Sequence, residues 1–297
     1  MPLQIFVPFY GDPQLLQRTV ASVLAQSDPD WTLTVIDDGY PDPRVATFFA
    51  GLSDPRVRYL RNAVNLGANG NFRRCIELAD QDWLVILGAD DELLPAYVAV
   101  IAAAIAAHPD AAVIQPGVQV IDEHGARAMS LLDRVKLRLL RPAATDRRVW
   151  AGADLATSLL RGNWLYFPSL AFRREPAQRI GLRTGLDVVQ DLALVLDLVM
   201  DGGSLALDDT VCFSYRRHST SDSSFRALDG SRFVEQRRYF RLVSVELEAL
   251  GWSRAARAGR RHLLSRVHAL TLLPTALRAR QWDGATTLIR HAAGRST

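Results

Sequence analysis

Three consecutive acids end an apolar run in this chain, Leu84-Val85-Ile86-Leu87-Gly88-Ala89-Asp90-Asp91-Glu92. A short apolar run closed by a turn signal reads as a buried strand, and the acids then stand where it leaves the core. Adjacent carboxylates repel one another, and a cation relieves the repulsion. Mg²⁺ is held by one or two carboxylates with phosphate oxygens in other positions, so the stretch suggests a metal–diphosphate site. Taken alone, the same acids read as a solvated turn. A second pair, Asp37-Asp38, closes an earlier apolar run. A carboxylate there can accept from a base N–H or a ribose hydroxyl, although Asp-Asp-Gly is also a common turn. Tyr10 offers a ring to stack on a base or to pack in a turn. Asn71 and Arg74 are spaced to share one helix face, and suit either base and phosphate contacts or capping and a surface charge. Asp191 opens an apolar helical stretch, where the helix dipole favours an acid and where a general base needs a carboxylate. Tyr215-Arg216-Arg217-His218 closes a late strand-like run, and His218 is a candidate for a metal or phosphate contact.

The elements that must position these residues alternate regularly. Strand-like runs at 3–7, 32–36, 57–60, 83–87 and 111–115 are separated by helix-like stretches near 13–26, 42–51, 70–80 and 95–107. That alternation predicts βαβ units and a mostly parallel sheet flanked by helices. Ligands bind outside the carboxyl ends of such strands, where Pro8 to Asp12, Asp37 to Gly39 and Ala89 to Glu92 all fall. Asn65-Leu66-Gly67 precedes the third helix, with Gly67 suited to a positive φ. Further strands are predicted at 164–173 and 204–216, a buried helix at 190–200, and helices from about 228 to 293, with Pro274 marking one helix start. Residues 129–141 read as a lid or a surface helix. The first strand is followed by Pro-Phe-Tyr-Gly, and neither a dinucleotide fingerprint nor a P-loop occurs.

At 297 residues and 48% hydrophobic content the chain is expected to be an ordinary globular protein. No apolar run reaches the roughly eighteen residues that span a bilayer. The N-terminus enters a strand-like run within two residues, which leaves no room for a signal peptide. Cys75 and Cys212 lie in apolar surroundings without metal-ligand spacing, and are expected to be buried thiols in a reducing cytoplasm. Residues 226–297 hold 14 arginines against 5 acids, a net +9 that leaves −6 for the rest. A basic helical tail on an acidic body points to a solvated arginine-rich surface, to peripheral contact with the inner face of a membrane, or to homo-oligomerisation. Nucleic acid is not expected, since the tail lacks a recognised fold signature and interleaved aromatics.

In order, Val-Pro-Phe-Tyr, Val-Ile-Asp-Asp-Gly, Asn-Leu-Gly-Ala-Asn-Gly-Asn-Phe-Arg-Arg, Gly-Ala-Asp-Asp-Glu-Leu-Leu-Pro, Pro-Ser-Leu-Ala-Phe-Arg-Arg, Gln-Asp and Tyr-Arg-Arg-His-Ser-Thr-Ser resemble glycosyltransferase family 2, inverting enzymes of the GT-A fold. The resemblance covers about residues 3–224. It implies a GT-A domain over 1–225, with a nucleotide-sugar-binding half at 1–116 and an acceptor-side, catalytic half at 117–225, followed by the helical extension 226–297. By position it implies that Asp91 binds Mg²⁺ or Mn²⁺, with His218 near the diphosphate. Asp90 would contact the ribose, Asp38 would read the base with Pro8 and Tyr10 beside it, and Asp191 would be the catalytic base. Trp164 falls on the acceptor side, as a sugar platform or a core aromatic. Two departures stand out. Ala89 replaces the first Asp of an Asp-x-Asp motif, leaving one metal carboxylate, and Gln190 replaces an acid beside the base. The implied reaction moves a sugar from a UDP, GDP or dTDP donor to a hydroxyl acceptor. The competing readings are a non-catalytic nucleotide-sugar scaffold and a sugar nucleotidyltransferase. The latter usually has a Gly-rich loop with Arg or Lys after the first strand, where this chain has Pro8 to Asp12.

Overall fold

The computed structural model describes residues 2–128, 140–142, 148–217 and 230–294. Four strands, β1 (Leu3–Phe9), β2 (Trp31–Asp37), β3 (Val57–Arg61) and β4 (Trp83–Ile86), pair in parallel in the order β3-β2-β1-β4. They are joined by α1 (Pro13–Leu24), α2 (Arg44–Ala50) and α3 (Gly67–Glu77). Beyond β4 the sheet continues through β8 (Ala171–Arg173), β6 (Val113–Ile121), β9 (Ser204–Arg216) and β5 (Glu92–Leu93), with β7 (Val149–Ala151) also on β9. Parallel pairing recurs only at β6–β9. The β4–β8, β6–β8, β5–β9 and β7–β9 pairs are antiparallel. The sheet is therefore parallel over its first half and mixed over its second.

Strand alternation sends successive side chains to opposite faces, and two cores result. Ile5, Val7, Leu33, Val35 and Val85 face α1, α2 and α4 (Tyr97–Ala107). Phe6, Ile36, Leu84 and Ile86 face α5 (Gly152–Arg161), α6 (Arg174–Ile180) and α7 (Gln190–Met200). Both cysteines are buried and unpaired, as the composition implied.

The C-terminal segment forms α8 (Ser231–Ala249), α9 (Ser253–Arg261), α10 (Leu263–Arg278) and α11 (Trp282–Ala292). Tyr239, Phe240, Val243 and Leu247 of α8, with Ala255 and Ala256 of α9, belong to the same core as α5 and α7. Only α10 and α11 build a small cluster of their own, with Phe233 of α8. So α8 and α9 are integral to the sheet's second face rather than appended to it.

Two local expectations change. Residues 164–173 are not one strand, because Pro168 opens a 3₁₀ turn at Phe167–Ser169 before β8. Pro274 lies inside α10 and starts no helix. It removes the hydrogen bond to the carbonyl of Leu270, and Leu270 sits on an exposed face where water substitutes. The segment 129–139, read as a lid or surface helix, lies outside the described residues.

Candidate active site

The acidic turn is built by chain reversal after β4. Leu87 N–H donates to Phe6 O at 2.8 Å and Asp91 N–H to Gly88 O at 3.1 Å. A Cβ on Gly88 would stand 2.5 Å from Asp91 Oδ2 and 3.1 Å from Asp90 Oδ1. Glycine is thus what lets both carboxylates fold back over the turn. The chain then enters β5, where Glu92 pairs with Ser214, and the end of β9 comes alongside. Arg216 N–H donates to Asp91 Oδ1 and its Nε to Asp90 O, each at 2.8 Å. Its guanidinium, fully buried, also donates to Asp122 O at 2.9 Å and forms an ion pair with Glu92. On the other side Thr19 Oγ1 of α1 donates to Asp91 O at 2.8 Å. Sequence reasoning quoted Arg216 in a motif without assigning it a task. Its task is to clamp the turn and to neutralise one of the three acids. Asp91 is itself buried, and burial, then the charge of Asp90, holds its carboxyl well above the usual range, with the Arg216 N–H opposing. A carboxyl so placed gains from an added cation.

A second cluster joins the ends of β1, β2 and β3. Asp38 N–H donates to Phe9 O at 2.8 Å. Asp38 Oδ1 accepts from Asn62 Nδ2 at 2.6 Å and from Leu66 N–H at 2.8 Å. No hydrogen bond to Oδ2 is formed among the described residues. Asn62, a buried residue that sequence reasoning missed, also donates to Asn71 Oδ1 at 3.3 Å, and Asn71 Nδ2 donates to Ile36 O at 2.9 Å. Asn71 is therefore buried and used on both sides of its amide. It supports Asp38, and the ligand contact expected of it does not hold. The helix begins at Gly67, with φ 72°, three residues earlier than its pattern suggested. Arg74 thereby falls in the last turn, half-buried, without an ion pair among the described residues. Tyr10 is 58% exposed, edge-on to Tyr40 at 5.3 Å, with Pro8 half-buried beneath it. Asp37 is structural: it accepts from Tyr40 N–H at 2.7 Å, Tyr59 Oη at 2.5 Å and Arg61 at 2.9 Å.

The third cluster surrounds Asp191, in the first turn of α7, where its Oδ1 accepts from Leu192 N–H at 2.7 Å. The N-cap residue, Val189, makes no side-chain cap. Glu235 of α8 holds the chain just before the helix, accepting from the N–H groups of Asp187, Val188 and Val189 at 2.9, 2.7 and 2.9 Å. Tyr215 ties the clusters together. Burial pushes its hydroxyl up to about 12, Asp91 adds to this, Arg217 opposes it, and Asp90 and Asp191 add further. One phenol thus feels all three candidate carboxylates, and it packs edge-on to Tyr166 at 5.2 Å. Burial lowers half-buried Arg232, and the charges of Asp191 and Tyr215 raise it again, so a cation stands near the base. One expected member, His218, lies outside the described residues. Trp164 is fully buried in the core and donates from Nε1 to Ser158 Oγ at 3.1 Å, so it is a core aromatic and not a sugar platform.

Among the described residues no group of three or more His, Cys, Asp and Glu side chains forms a metal cage. The donor set at the turn is Asp91 with Asp90, because Glu92 is taken by Arg216. One or two carboxylates fit a Mg²⁺-type ion whose other positions are filled by phosphate and water.

The sheet thus carries carboxylates to the ends of β2 and β4, and Asp191 adds an acid in the first turn of α7. The family model for glycosyl transferase family 2 matches residues 4–159, more than half of the chain, and the chain belongs to that family. It is 34% identical over 128 residues to the uncharacterized protein y4gI of Sinorhizobium fredii, covering 42% of this chain and 14% of that protein. It is 30% identical over 94 residues to the putative colanic acid biosynthesis glycosyl transferase WcaA of Escherichia coli K12, covering 31% and 34%. The chain thus spans well under two thirds of either relative. The structure of S. aureus TarS 1-349 in complex with UDP-GlcNAc shares the fold, with a TM-score of 0.59 and 14% identity over 99% of this chain and 93% of that one.

Proposed function

We propose that this protein transfers a sugar from a nucleoside diphosphate sugar to an acceptor hydroxyl by a single displacement with inversion. The observation that carries it is the acidic turn after β4, closed over Asp91 by Thr19 and Arg216, with the charge of Asp191 acting alongside those of Asp90 and Asp91 on buried Tyr215. This supports a diphosphate-binding turn with a carboxylate base in its neighbourhood. Asp191 takes the proton of the acceptor hydroxyl as its oxygen bonds to the anomeric carbon. The bond to the diphosphate oxygen breaks on the opposite face, and its electron pair leaves with the nucleoside diphosphate. Asp91, with Asp90 beside it, would hold a Mg²⁺ or Mn²⁺ ion, whose chemistry when bound is neutralisation of diphosphate charge. Tyr215, pushed up to about 12 by burial first and then by Asp91, keeps its proton at neutral pH. Asp38 Oδ2 accepts from the base and Tyr10 stacks on it. The UDP-GlcNAc complex of TarS supports a UDP donor.

Thermal-shift measurements with UDP, GDP and dTDP, each with and without Mn²⁺, test this on the wild type and on Asp91→Ala. A ligand that binds the native state raises the melting temperature by mass action. Stabilisation by UDP that needs the metal and is lost in Asp91→Ala is the expected result. No shift with any diphosphate would overturn the reading.

A further inference from the structure

The one-residue step from α9 to α10 joins two features that the transfer reaction does not use. On α9, Ala255, Ala256 and Gly259 turn inward and are buried, while Arg254, Arg257 and Arg261 share the outward face. Together with Arg161 at the end of α5 these arginines line a groove floored by Leu263 and Leu264. No acid lines it. None of the four arginines has a hydrogen bond or ion pair among the described residues, whereas their neighbour Arg260 is paired with Glu248 at 3.0 Å. Four guanidinium groups around one depression, none hydrogen-bonded or ion-paired among the described residues, suit an anionic occupant.

The groove opens onto an apolar stripe. Leu263, Val267, Leu270 and Leu277 fall on one face of α10 at steps of four, three and seven, and each is between 42% and 58% exposed. Ala269 and Ala276 of the same helix are buried against α11 and Phe233, with Leu272 and Leu273 packed beside them. Leu263, Val267, Leu270 and Leu277 are left outside that cluster.

We propose that α9 and α10 form a docking surface for an anionic phospholipid bilayer, with headgroup phosphates in the arginine groove and Leu263, Val267, Leu270 and Leu277 in the interfacial layer. Basic and apolar side chains adjacent on one helical surface are what interfacial binding requires. A nucleic acid would use the arginines but not the stripe. A second copy in two-fold contact would set the same four arginines against one another. Among the described residues no helix is long and apolar enough to cross a membrane, so this attachment is peripheral.

The test uses the full chain and sucrose-loaded vesicles of phosphatidylcholine, with and without phosphatidylglycerol. Sedimentation is expected with the anionic vesicles only and is expected to weaken as salt rises. The variant Arg254→Glu/Arg257→Glu/Arg261→Glu should lose on the order of 100-fold in partitioning, and Leu263→Ser/Val267→Ser/Leu270→Ser should lose at least tenfold, both melting near the wild type. A second measurement does not depend on those variants folding. Leu270→Cys labelled with a polarity-sensitive fluorophore should shift to the blue on anionic vesicles, the native cysteines being buried and silent. No sedimentation at low salt, equal binding to neutral vesicles, or a lipid-free dimer abolished by the leucine variant would overturn the proposal. None of these readouts involves sugar transfer, so the result stands apart from the reading of the active site.

Discussion

At the scale of single residues, the proposed reaction gives Asp191 and Asp91 separable work, the one on the acceptor hydroxyl and the other on the donor diphosphate. Asp191→Asn is therefore expected to lower kcat by about 10²–10⁴-fold, the usual worth of a general base, with UDP affinity unchanged by calorimetry. Asp91 is held by its surroundings, and its sharpest dependence is on a residue with no side chain. In Gly88→Ala the new Cβ would meet Asp91 Oδ2 at 2.5 Å and must push the carboxylate away. Metal-dependent stabilisation by UDP should then fall at least tenfold in affinity while the metal-free protein still folds. If Gly88→Ala binds UDP and Mn²⁺ as the wild type does, the carboxylate is not placed as argued.

At the scale of elements, the base depends on a helix that follows it in the chain. The first turn of α7 leaves backbone N–H groups without intrahelical partners, and the chain just before it is held by Glu235 of α8 through three hydrogen bonds. Asn69 of α3 adds a further tie, donating to Asp187 Oδ1 at 2.8 Å. Glu235→Ala should cost about 1–3 kcal/mol in chemical denaturation, since hydrogen bonds to a charged group are lost. It should also cut kcat on the order of 10²-fold through misplacement of Asp191, with donor affinity held. Equal loss of kcat and donor binding would mean a general collapse of the site and not a positioning role.

At the scale of the whole molecule, the C-terminal helices decide stability as well as geometry. Arg183, in the loop after α6, pairs with Asp197 of α7 and Glu246 of α8, both at 2.6 Å, and so ties α7 to α8. Within the extension, buried His291 is held down to about 4, by burial first and then by His262, Arg237 and Arg266. Its ordinary value is 6.5. The unfolded chain therefore takes up the proton before the folded one does. The stability that neutral His291 contributes is present above pH 6.5 and is lost as pH falls toward 4. Melting temperatures of wild type and His291→Leu across that range are expected to converge or cross as the solution is acidified, because the variant lacks this titration. Parallel curves would assign the acid sensitivity to other groups.

The sequence by itself determined the first half of the sheet, the helices between its strands and the three polar strand ends, because periods of 2 and 3.6 and turn residues are local properties. It missed β5 and β7, two and three residues long, which are too short to show a period. Pro274 was misread because its lost hydrogen bond falls on a solvated face. Asp38, Asp90, Asp91 and Asp191 could be picked out by type and position. Asn62, Glu235, Arg216 and Tyr215 could not be given their tasks, because those tasks exist only across the fold. Arg216 and Asp91, hydrogen-bonded at 2.8 Å, are 125 residues apart in the chain, and no local pattern announces such a pairing. The tertiary structure also removed Trp164 and Asn71 from the ligand, since burial and the use of a polar group by the protein itself are decided by packing. The arginine count predicted a basic tail. Only the fold showed which arginines lack an ion pair among the described residues and that an exposed apolar stripe runs on from them.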